Sequence, residues 1–177
     1  MSAQTKLVRL LQRAYSGERA AFHAYEGHWR SVRDPAEAER IKTIANEEVE
    51  HRARVGEMLA ELGAKPSRLR ELAFLLIGVT VGVLCRVGGC FGRLGWYAAM
   101  DGAGRLEASN VHEYVDAAKL ARDAGFEAFV PDLMRLAKIE WDHEVFFFER
   151  CAGHKLSRYA PAWSRPARPD LSDPAKA

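Results

Sequence analysis

A chain of 177 residues is long enough to bury a core of its own, and its length predicts a single domain. Its 26 Lys and Arg against 24 Asp and Glu leave a net charge of +2 with no dense basic run, which argues against a dedicated nucleic-acid surface. Three cysteines, Cys85, Cys90 and Cys151, lack zinc-site spacing. With no signal-peptide pattern ahead of the first helical stretch, they point to a reducing, cytoplasmic compartment.

Along the chain the apolar period is helical almost throughout, so the sequence predicts an all-α protein. The first pattern runs from about Ala3 to Arg33 and stops at the Arg-Asp-Pro sequence, where Asp34 can cap and Pro35 can open the next helix. The second runs from Pro35 to about Leu62 and ends at Gly63, with Pro66 close behind. A third begins near Arg93 and ends around Ala124-Gly125, and a fourth runs from Phe126 or Pro131 to Ala152-Gly153. Residues 1–155 thus read as a helical bundle, and 156–177 as a Pro-rich tail with no core of its own.

Writing the inward stripe of each pattern in alternating steps of three and four exposes an anomaly. The second gives Ile41, Ile44, Glu48, His51, Val55, Met58, Leu62, an apolar seam broken by a glutamate and, three residues on, a histidine. The fourth repeats the interruption in Leu133, Leu136, Glu140, His143, Phe147. The first stripe is Leu7, Leu11, Ala14, Glu18, Phe22, Tyr25, Trp29, and the third is Tyr97, Met100, Gly104, Glu107, Val111, Tyr114, Ala118. Each of these carries one mid-helix glutamate.

A carboxylate stripped of water costs several kcal/mol unless it is paired or coordinated, and four together repel one another. Two ferrous ions would neutralise four carboxylates, and neutral imidazoles would complete their coordination. One Glu from each of two helices plus Glu-x-x-His from each of two others is the ligand set of ferritin-like di-iron carboxylate bundles. The expected metal ligands are Glu18, Glu48, His51, Glu107, Glu140 and His143. Glu47, Glu50, Asp142 and Glu144 lie off the seam and are expected at the surface or orienting the histidines. His23, His28 and His154 are expected at the surface.

Between the second and third patterns, residues 66–95 read as an additional apolar helical hairpin. Its apolar run from Leu72 to Cys85 is short for a comfortable span, and Arg68, Arg70, Arg86 and Arg93 flank or interrupt it. That composition suits a hairpin in the headgroup region of an anionic membrane, or one packed on the bundle or on a second subunit as a homodimer.

These motifs resemble the demethoxyubiquinone hydroxylase family of ubiquinone biosynthesis. The segment YSGERAAFHAYEGH is similar to the family's first ligand segment and places Glu18 in it. NEEVEH and IEWDHE match its two Glu-x-x-His elements. LEASNVHEY resembles its Val-Glu-Glu-Ser-Ile-Ala-His-His-Tyr, bringing Glu107, His112 and Tyr114 into register, with Glu113 standing where the family has histidine. The likeness covers about Leu11 to Gly153. It implies a membrane-associated di-iron monooxygenase on the inner face of a membrane, whose long-tailed quinone enters through the apolar region. Glu48 and Glu140 would bridge the irons, Glu18 and Glu107 would be terminal, and Tyr114 with His112 would serve electron or proton delivery from NADH. A rubrerythrin-like or ferritin-like iron oxidase or peroxidase would use the same ligands without an organic substrate.

Overall fold

The computed structural model describes residues 1–160 and 163–171. Among them are five helices, α1 (Ala3–Trp29), α2 (Pro35–Glu61), α3 (Arg68–Gly88), α4 (Arg93–Asp123) and α5 (Val130–Ala152), and no strand. Short 3-10 turns occupy Gly89–Phe91, Glu127–Phe129 and Lys155–Arg158. The fold is all-α, as a ferritin-like bundle requires.

Local chemistry sets the boundaries. The Asp34 carboxylate accepts from the amides of Ala36 and Glu37 at 2.9 and 3.0 Å, and Pro35 opens α2, so α1 ends four residues earlier than its period allows. At the far end of α2, Gly63 takes φ +67°, a left-handed conformation that stops the helix.

The chain forms two compact units, Leu11–Ala99 and the remainder, Met1–Leu10 with Met100–Ala177. In the first, Leu11, Ile41, Ile44, Val55, Met58 and Leu59 are fully buried. In the second, Met100, Val111, Ala118, Leu133, Leu136 and Phe147 are buried in the same way. These are largely the seam positions of the sequence.

The expected hairpin at 66–95 is one complete helix, α3, and its second arm is the beginning of α4 rather than an added element. The Gly-rich stretch between them makes a tight corner, in which a Cβ on Gly95 would strike the Gly88 carbonyl. α3 packs on α1 through glycine: a Cβ on Gly78 would collide with the Ala20 backbone, and one on Gly82 with the His23 carbonyl. Gly27 of α1 faces Gly82 with equal intimacy. Gly78 and Gly82 are the only buried residues of α3, whereas Leu72, Leu76, Ile77, Val83 and Leu84 are all more than half exposed. The stretch Arg68–Phe91, whose most apolar 18 residues have a mean hydropathy of 2.0, is long and apolar enough to cross a membrane by length and composition.

His28 is buried, not at the surface as expected, because it lies on the inward side of α1 beside Tyr25, with ring centroids 6.3 Å apart. Burial disfavours its charged form and lowers its pKa from 6.5 to about 4. Above about pH 6.5 both folded and unfolded chains carry it neutral. As pH falls toward 4, only the unfolded chain takes the proton, and roughly 3 kcal/mol of stability is lost. Denaturant titrations of His28→Phe should therefore lose less stability between pH 7 and pH 4 than those of the parent.

Candidate metal centre

In the unit Leu11–Ala99, α1 supplies Glu18, and α2 supplies Glu48 and His51 from successive turns of one face. All three are buried, Glu48 completely. One ligand atom from each lies within 4.8 Å of the others, and His51 Nδ1 stands 3.7 Å from a Glu48 oxygen. Two carboxylates and an imidazole, with no thiolate, form a donor set suited to a divalent cation such as iron, manganese or zinc rather than to a thiolate-selecting site.

The other unit carries the same set on different helices. Glu107 comes from α4, and Glu140 and His143 come from α5, each of them 0% exposed, with ligand atoms again within 4.8 Å. His143 Nδ1 lies 3.5 Å from Glu140 and 4.0 Å from Glu107. The Asn110 amide donates to Glu107 Oε2 at 3.1 Å, which restrains that carboxylate to one rotamer. Each triad combines one glutamate with one Glu-x-x-His, as the seam pattern anticipates.

Against the first triad lies a cavity of about 470 Å³ between α1 and α2. Glu18 and Glu48 reach it, Phe22, Val49 and Ala53 make part of its wall apolar, and Arg19 and Arg52 also line it. His23, another lining residue, has its pKa lowered by burial, then by the charge of Arg19 and, less strongly, of Arg52, while Glu26 opposes. The arginines lie off the apolar seam and read in sequence as ordinary surface charge, so nothing in the period marks them.

A family model described as "Ubiquinone biosynthesis protein COQ7" matches residues 5–100, more than half of the chain. The chain belongs to the COQ7 family. Among curated relatives, the 3-demethoxyubiquinol 3-hydroxylase of Laribacter hongkongensis is 38% identical over 78 residues, covering 42% of this chain and 38% of the relative. The enzyme of the same name from Chromobacterium violaceum is 37% identical over 78 residues, with the same coverage. The chain thus aligns with well under half the length of these relatives. No solved structure matches. The COQ7 match takes in Glu18, Glu48, His51 and the whole of α3, and it ends before Glu107, Glu140 and His143.

Beyond the COQ7-matched stretch, Tyr114 is buried on α4 while His112 is exposed, since the two side chains leave the helix about 200° apart. Glu144 departs from expectation. It is fully buried, and it holds the C-terminal segment by accepting from Trp163 Nε1 at 2.9 Å and from both Arg165 Nε and Nη2. The Trp163 ring fills the space that a side chain at Gly104 would need. The Pro-rich tail therefore docks through 163–169, with Pro166 and Pro169 buried, and residues 161–162 and 172–177 of it lie outside the described residues. Glu144→Ala should free this segment, costing about 1–3 kcal/mol in denaturant titrations and exposing the chain after Ala152 to limited proteolysis.

Proposed function

We propose that the chain is an oxygen-dependent di-iron monooxygenase that hydroxylates the ring of a quinone-type lipid. The reading rests above all on the two buried Glu/Glu/His triads, and the names of its curated COQ7 relatives agree with it. Glu18, Glu48 and His51 in one unit and Glu107, Glu140 and His143 in the other are the residues that would hold two iron ions. The iron pair, when bound, supplies the activation of dioxygen.

The chain's own residues account for the remaining work. The cavity beside Glu18 and Glu48 has room for a substituted benzoquinone ring, to which Phe22, Val49 and Ala53 offer apolar contact. Tyr114 stands two turns beyond Glu107 on α4, about 10 Å along the helix, where its hydroxyl can pass a proton or an electron. His112, exposed to solvent, is where a soluble reductant such as NADH would deliver its electrons. α3 would rest on the inner face of a membrane, leaving the protein peripherally attached from the cytoplasm.

The test is product analysis. Iron-loaded protein given NADH, a short-chain demethoxyquinone and isotopically labelled dioxygen should return the hydroxylated ring carrying the label. Tyr114→Phe should keep its iron and slow that turnover roughly tenfold. Rapid consumption of ferrous ion or peroxide with no labelled ring would instead favour the rubrerythrin-like or ferritin-like activity.

A further inference from the structure

The cationic lining of the cavity is built more carefully than a solvated surface needs. Arg52 of α2 donates from Nη2 to Glu71 of α3 at 2.5 Å and from Nε to the Tyr15 carbonyl at 3.3 Å. Its guanidinium lies 4.2 Å from the centroid of the Tyr15 ring. Arg19 of α1 reaches the same Glu71 oxygen at 3.5 Å. Two guanidiniums therefore share one carboxylate beside a cavity that they line together with Glu18 and Glu48; once bound iron neutralises those two glutamates, a positive charge is left in surplus there. Their side chains are about one-third exposed, 33% for Arg19 and 30% for Arg52, so they stay open to an incoming group. Arg52 is fixed on two sides and still has Nη1 donors to offer.

A neutral quinone has no need of that surplus. A hydroxyquinone does: its ring hydroxyl is conjugated through the ring to a carbonyl, so it is a vinylogous carboxylic acid and gives up its proton to water at neutral pH. The resulting anion carries charge on the former hydroxyl oxygen, which with the adjacent carbonyl oxygen can face one guanidinium fork, and shares it with the conjugated carbonyl oxygen two ring positions away, which a second guanidinium can meet. We propose that Arg52 and Arg19 form an anion-recognising subsite that holds the ionised, hydroxyl-bearing ring of a hydroxyquinone in the α1–α2 cavity. This rests on the hydroxylase reading of the same cavity and adds to it a preference for the product's oxidised form. Glu71 and Tyr15 are positioning groups for the pair.

Binding of two probes, 2-hydroxy-1,4-naphthoquinone and its neutral 2-methoxy counterpart, tests this by calorimetry on the full chain, iron-loaded and anaerobic. The hydroxy probe should bind at least about tenfold more tightly than the methoxy probe at pH 7, and added salt should narrow the difference. Arg52→Met should remove most of the preference with iron content and melting temperature held. Arg19→Met should reduce it, and Arg52→Lys should restore only part. A preference that survives both methionine variants places the anion on the metal and overturns the subsite. Equal binding of the two probes to the parent overturns the subsite while leaving a quinone cavity. Failure of both probes to bind overturns the quinone reading itself.

Discussion

Replacing Glu48 with glutamine should make the protein more stable than the parent without metal and less stable than the parent with it. In the metal-free chain Glu48 is a fully buried carboxylate near a second carboxylate, Glu18, so neutralising it removes repulsion and desolvation cost and should raise the melting temperature. With iron present the same change would take away one of the proposed ligands. The parent should bind two irons per chain, gain about 3 kcal/mol from metal at a hundredfold excess over its dissociation constant, and melt roughly 5 to 10 °C higher than after chelation. The variant should lose that gain, and its quinone hydroxylation should fall at least about a thousandfold. Calorimetric melting with and without chelator, beside colorimetric iron analysis, reads both signs. A metal-free parent no less stable than Glu48→Gln, or one iron per chain, would overturn the ligand assignment.

Leu76→Glu combined with Leu84→Glu should release the protein from vesicles containing anionic lipid, lowering its partition by two orders of magnitude or more. Both side chains are about 60% exposed on α3, so the folded chain carries the new charges in water with little strain. Set into an apolar membrane boundary, they cost roughly 3–5 kcal/mol together. Co-sedimentation gives the partition, and an unchanged melting temperature shows that α3 remains docked. A parent that ignores vesicles but sediments as a dimer, dissociated by the same pair of changes, would put a second copy of the chain on this face instead.

Much of this was legible because one period runs through the chain. Four helices with one inward stripe each leave few registers, so Glu48, His51, Glu140 and His143 could be placed inside from spacing alone, and all four are buried. The helix stops were legible for a local reason, since a capping aspartate before proline and a glycine at positive φ act within a turn. What escaped sequence reasoning depends on partners distant along the chain. Glu144 is spaced like a surface residue, and only Trp163 and Arg165, some twenty positions later, make its burial tolerable. Arg19 and Arg52 become a pair only because Glu71 of α3 lies between them. The stretch Arg86–Arg93 has no period because its glycines serve a corner, where the absence of a side chain is the useful property.

On the proposed function, the glycine contacts between α1 and α3 would limit how far a membrane-borne ring must travel. Backbone touches backbone at Gly78 and Ala20, and at Gly82 and Gly27, so the two axes stand closer than side chains would permit. Glu18 lies half a turn from Ala20 on the same rod. If α3 rests on lipid as proposed, that carboxylate stands within about two helix diameters, roughly 20 Å, of the hydrocarbon boundary. A polyprenylated ring would rise into the cavity with the first carbons of its tail spanning that distance, while the rest of the tail stayed dissolved in the bilayer. Withdrawing the whole tail would forfeit about 0.8 kcal/mol for every methylene exposed to water, a sum no pocket of this size could return. Close contact between two helices thus becomes a rule of reach, under which tail length beyond those first carbons should scarcely alter the energetics of capture.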